Sequence, residues 1–87
     1  MNEEPNWTLK QRQIIEICQK NGHITRNHVN AFYASEAQAN RLIDALIFFN
    51  YIIPDKNSIF EHRYPNGRVK EVCQKYLWNT AREQKTL

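Results

Sequence analysis

Ser35, Gln38, Asn40 and Arg41 lie within a single stretch of seven residues, and their side chains carry the groups that read base edges. A side-chain amide pairs bidentately with adenine, and a guanidinium pairs with O6 and N7 of guanine. Each well-made pair gives about 1–3 kcal/mol of discrimination. Affinity, in contrast, comes largely from neutralised phosphates. Arg26 and His28 upstream, and Lys56, His62 and Arg63 downstream, are the cations nearest to hand. Between His23 and Asn50, Arg26 and Arg41 are balanced by Glu36 and Asp44, so this stretch must borrow positive charge from its neighbours. Arg68, Lys70, Lys75, Arg82 and Lys85 make the C-terminal part the most basic. Asp44 repels phosphate but accepts from the N4 amino group of cytosine.

Other chemistries find less support. Cys18, Cys73, His23, His28 and His62 are five potential metal ligands, yet none share an i, i+3 or i, i+4 spacing and no CxxC pair exists. No metal or cofactor is expected, and both cysteines read as buried thiols, since a reducing compartment disfavours a disulfide. Ser35 and Ser58 have cap and turn explanations, the carboxylates are scattered, and there is no glycine-rich phosphate loop. The chain is not expected to be an enzyme or to hold a small-molecule ligand. No apolar run approaches the length of a membrane span, and the acidic start Met1-Asn2-Glu3-Glu4-Pro5 lacks the apolar core of a signal peptide. A cytoplasmic, nucleoid-associated protein is expected.

The elements that must position the base-reading groups follow from periodicity and caps. Eighty-seven residues with 41% hydrophobic content and a formal charge of +3 make one small, mildly basic domain. Such a chain buries only roughly 60–65% of its unfolded surface, and self-association would enlarge its core. Residues 1–7 read as a flexible tail. Thr8 with Gln11 forms a capping box for a helix over about 9–20, ended by Asn21-Gly22. His23-Ile24 is a stub of strand. Thr25 caps a second helix over about 26–33 with Val29 and Phe32 inward, and Ser35 with Gln38 opens a third over about 36–49. On that third helix Ala39, Leu42, Ile43 and Leu46 face the core, while Ala37, Arg41, Asp44 and Phe48 face outward. Tyr51–Ile53 and Ser58–Tyr64 read as two strands of a hairpin turning at Pro54-Asp55-Lys56-Asn57, with Lys56 at its tip. After Pro65-Asn66-Gly67, the spacing of Val69, Val72, Cys73, Tyr76 and Thr80 predicts a fourth helix, with Trp78 on its opposite side.

Leu9…Ile14-Ile15…Ile17-Cys18, Ile24-Thr25…Val29…Phe32 and Ala39…Leu42-Ile43…Leu46…Tyr51-Ile52 together resemble the winged helix-turn-helix superfamily over residues 8–64. The resemblance implies a mainly α fold with a small β-hairpin, in the order α-β-α-α-β-β-α. It implies a sequence-specific double-stranded DNA-binding protein, a transcriptional regulator whose third helix enters the major groove. Arg26, Ser35, Gln38, Asn40, Arg41, Lys56 and Arg63 would then touch DNA. Residues 65–87, as a long C-terminal helix, are similar to the pairing helix of small dimeric regulators, so a homodimer is expected with Val72, Tyr76 and Trp78 at its interface. Similar segments occur in replication and transfer proteins of mobile elements, and a neutral third helix also suits a protein–protein interaction module. Those are the alternatives.

Overall fold

The computed structural model describes residues 5–82. Helix α1 spans Leu9–Asn21. Its capping box is formed as expected: Thr8 Oγ1 accepts from the Gln11 amide, and the Gln11 side chain accepts from the Thr8 amide. Gly22 ends the helix at φ 81°, a left-handed conformation that suits a residue without Cβ. Strand β1 (His23–Thr25) follows, then the five-residue helix α2 (Arg26–Asn30), capped by Thr25. The second helix stops three residues earlier than its sequence pattern suggests, and Phe32 and Tyr33 close into turns. Helix α3 (Glu36–Phe48) begins at Ser35, whose Oγ accepts from the Gln38 amide.

Beyond α3 the chain departs from the expected order. Strand β2 (Ile52–Pro54) is followed by a 3-10 turn at Lys56–Ser58, strand β3 (Ile59–Arg63), strand β4 (Val69–Cys73) and strand β5 (Lys75–Trp78). One sheet has the order β1-β5-β2, antiparallel throughout, and the other is the β3–β4 hairpin. The fold is therefore a small α+β domain, not the mainly α chain expected, and no long C-terminal helix forms over the described part of residues 65–87, which holds two strands and a 3-10 turn at 80–82. Residues 83–87 and 1–4 lie outside the described residues. The rest of the expected N-terminal tail is anchored in part: Trp7 packs edge-on against Phe49 and Tyr51, and its Nε1 donates to Tyr51 Oη.

Two readings of spacing explain the error. Val69, Val72, Cys73 and Tyr76 recur as a helical stripe does, but the chain breaks at Gln74 and divides them between two strands, along each of which side chains alternate in direction. The period that operates is 2. Tyr76 and Trp78 point into the core, while Leu77 lies in the outer row with His23 and Ile53. The expected turn at residues 54–57 is instead a crossover from the sheet into β3, with Asp55 capping the 3-10 turn. The true hairpin turn is Pro65-Asn66-Gly67. There Gly67 donates to the Tyr64 carbonyl at 3.0 Å, Tyr64 N donates to the Arg68 carbonyl at 2.8 Å, and Gly67 has φ 86°.

The core joins Ile14 and Cys18 of α1, Ile24 of β1, Val29 of α2, Ala39, Leu42, Ile43 and Leu46 of α3, Ile52 of β2, and Tyr76 and Trp78 of β5. Burial pushes the Cys18 thiol up to about 11, so it stays protonated at neutral pH. Both cysteines are free. Trp78 and Tyr76, expected at a dimer interface, are core residues at 9% and 2% exposure. Val72 sits half-buried in the hairpin, opposite Phe60. No described helix is long and apolar enough to cross a membrane.

Placing β5 at the centre of the sheet makes a stability prediction. Trp78→Ala should cost about 3–5 kcal/mol in urea unfolding, whereas Leu77→Ser on the outer face should cost within about 1 kcal/mol. A terminal helix with Trp78 outward would reverse the two.

Candidate nucleic-acid interface

The α2–α3 pair and the β3–β4 hairpin form the two walls of an open cleft of about 550 Å³. Its geometry begins at Arg26, the first residue of α2. The backbone amide of Arg26 donates to the Gln74 carbonyl at 2.8 Å. Its side chain then spreads over three elements. Nε donates to the Cys73 carbonyl at 3.0 Å, Nη2 to Tyr76 Oη at 2.6 Å, and Nη1 to Asn40 Oδ1. Tyr76 Oη in turn donates to the Cys73 carbonyl at 3.2 Å. Burial pushes the Tyr76 hydroxyl pKa up, and the neighbouring Arg26 cation opposes that rise. One guanidinium thus ties the start of α2, the middle of α3, the exit of the hairpin and the central strand. Its planar fork of donors suits such multipoint bonding, which an ammonium cannot match.

Ser58 secures the other side of the hairpin base. Its Oγ donates to the Asp55 carbonyl at 2.8 Å and accepts from the Lys75 amide at 2.9 Å. From Ile59 to Glu71 every residue is exposed. Directly opposed residues of an antiparallel pair share a face, so the register sorts the hairpin into two. Phe60 and Val72, His62 and Lys70, and Tyr64 and Arg68 belong to the inner face, and five of these six line the cleft. Ile59 and Cys73, Glu61 and Glu71, and Arg63 and Val69 form the outer face, although Glu71 also borders the cleft.

On the opposite wall, Glu36, Asn40 and Asp44 form a stripe of α3 at i, i+4, i+8 that lines the cleft with Asn27 and Asn30 of α2. A second line of α3, Ala37, Arg41 and Phe48, is exposed and turned away from the core. Gln38 and Arg41 border a shallow depression with Gln11 and Tyr33. Lys10 stands over the Tyr33 ring at 5.0 Å, which adds a cation to that side.

The residues singled out from sequence therefore separate. Ser35, Gln38 and Arg41 are exposed at the first turns of α3. Arg26 and Asn40 are bonded to each other inside the clamp, which commits both to holding the fold. Lys56 is exposed but sits at the hairpin base, not at its tip. Arg63 is exposed on the outer face, where it pairs loosely with Glu61 at 3.6 Å, a contact of little energetic weight. Phe60, Tyr64, Arg68 and Lys70 were missed as a group. The signal for them was the alternation Phe60-x-His62-x-Tyr64 running into Pro65-Asn66-Gly67, a strand feeding a tight turn. Among the described residues no cluster of metal-ligating side chains is present.

Comparison with family models, with curated proteins and with solved structures finds no match to this chain.

The clamp has a direct test. Arg26→Lys keeps the charge but can reach fewer of the three acceptors, so it should lower unfolding free energy by about 3 kcal/mol and shift the amide resonances of Asn40 and Gln74. A change below about 0.5 kcal/mol would show that the guanidinium is not what joins the two walls.

Proposed function

We propose that this chain binds double-stranded DNA with sequence selectivity, in the role of a transcriptional regulator. Helix α3 lies in the major groove and the β3–β4 hairpin follows the flanking backbone. The observation that carries the reading is the exposed line of α3, which offers Gln38 and Arg41 with Ser35 at its start, standing beside a projecting hairpin that carries Arg63, Arg68 and Lys70. The reading is supported by the α2–α3 pair, whose short joint between Ala31 and Ser35 presents the start of α3 at the surface. Arg41 reads a guanine and Gln38 an adenine. Arg63, Arg68, Lys70 and Lys56 neutralise phosphates, which supplies the charge that α3 lacks. Arg26 and Asn40 hold the two walls and do not touch bases. A dimer on a palindromic site would need a surface other than Tyr76 and Trp78, which the core already buries.

Four phosphate contacts set the salt dependence. Binding to a duplex obtained by random-sequence selection should weaken about 100-fold between 50 and 200 mM salt, from a slope near 0.9 per phosphate contact. Arg41→Ala should erase a preference at one base pair, worth about 1–3 kcal/mol, while Lys70→Ala should weaken all duplexes alike. Salt-independent binding, or an Arg41→Ala protein with unchanged preference, would contradict the reading and favour a protein partner on the Phe48 side of α3.

A further inference from the structure

The inner wall of the cleft divides its chemistry in a way that a paired duplex does not exploit. On the hairpin, Phe60 and Tyr64 are large rings at 46% and 41% exposure. His62 lies between them in sequence, its ring 4.6 Å from that of Tyr64 and edge-on to it. Lys70 is opposite His62, and the ladder bond from Tyr64 to Arg68 sets a second cation beside the turn. On this face of the ribbon β3 carries the rings, and Lys70 and Arg68 stand opposite them. Facing them across the cleft are acceptors: the Glu36 and Asp44 carboxylates and the amides of Asn27 and Asn30.

These are the three contacts an unpaired base asks for. Its π-face stacks on an aromatic ring, which is worth roughly 1–3 kcal/mol per base and tolerates any sequence. Its amino group donates to a carboxylate, as cytosine N4 does. Its phosphate takes a cation. In a duplex the same ring faces are covered by neighbouring base pairs, and a cytosine amino group keeps only its major-groove hydrogen free to donate. The Glu36 and Asp44 carboxylates, with Glu71 beside Lys70, would also repel a phosphate backbone lying within the cleft, so a strand must turn its bases inward and leave its phosphates at the rim, by Lys70 and Arg68. A cleft of about 550 Å³ falls in the size range of small-ligand sites.

We infer that the cleft between α3 and the hairpin binds unpaired bases of a single nucleic-acid strand, stacked on Phe60 and Tyr64 and bonded at their amino groups by Glu36 and Asp44. This site shares Lys70 and Arg68 with the duplex reading, but its base contacts come from residues other than the outward line of α3, so variants of its rings test it separately.

The test is fluorescence anisotropy with labelled (dC)12, (dT)12 and (rC)12 at 50 mM salt, beside a fully paired duplex. Wild-type protein should bind (dC)12 more tightly than (dT)12, because thymine has no amino donor. The ratio of (rC)12 to (dC)12 binding assigns the sugar. Phe60→Ala and Tyr64→Ala, exposed positions whose folding circular dichroism verifies, should each weaken (dC)12 binding about tenfold and leave the duplex within twofold. Phe60→Trp should retain single-strand binding, so a loss in Phe60→Ala is assigned to the ring. Asp44→Ala should narrow the preference for (dC)12 over (dT)12. The inference is overturned if wild-type protein does not bind (dC)12 or (rC)12, if the ring variants bind (dC)12 as well as wild type, or if they weaken single strand and duplex equally. Single-strand binding with no duplex binding would sink the proposed function and leave this site standing.

Discussion

The Arg26 guanidinium is the constraint on which the arrangement of both walls depends. It stands where β1 becomes α2, so its backbone is fixed by the sheet on one side and by a capped helix on the other. From there it reaches a carbonyl at the hairpin exit, a hydroxyl on the central strand and an amide on α3. Each of those acceptors belongs to a different element. A charged donor satisfying half-buried acceptors is strongly favoured over leaving them unpaired. The stripe of α3 that carries Asn40 is therefore held facing the inner face of the hairpin, and the outward line carrying Arg41 is left free.

The rest of the molecule supports that geometry from behind. Strand β5 pairs on both edges, packs against α1 and brings Tyr76 and Trp78 into one core with the apolar stripe of α3. Near the other end of the sheet, Trp7, Phe49, Tyr51 and Trp78 form a chain of aromatic contacts, and Arg82 lies 3.6 Å over the Tyr51 ring and donates to the Phe49 carbonyl at 2.5 Å. Residues from both ends of the described chain thus close over the end of α3. A two-stranded ribbon is at best marginal on its own in water. The β3–β4 hairpin is held by its base, through Arg26 and Ser58, and by the ladder between its strands.

The elements governed by local rules could be read from the sequence. The Thr8–Gln11 box, the left-handed Gly22, the caps at Thr25 and Ser35 and the apolar stripe of α3 each depend on residues a few positions apart. What could not be read depends on distant partners. Val69 to Trp78 fit a helical stripe until Tyr76 is seen between Ile24 and Pro54, residues 52 and 22 positions away. Arg26 looked like a free cation for phosphate and Asn40 like a free base-reading group because nothing local marks a clamp closed by Cys73 and Tyr76. The outward face of α3 was legible from the wheel alone. The inner face of the hairpin was not, because its alternation is shared with a turn whose position was misassigned.

Two walls held by one guanidinium should meet nucleic acid together, and shift mapping on ¹⁵N-labelled protein tests this most directly. Addition of a selected duplex should perturb the amides of Ser35, Gln38 and Arg41 together with those of Arg63, Arg68 and Lys70, and leave His23, Ile53 and Leu77 on the outer sheet face unmoved. Perturbation centred on the outer sheet face or on Phe48 and Leu9, with α3 and the hairpin silent, would contradict the account.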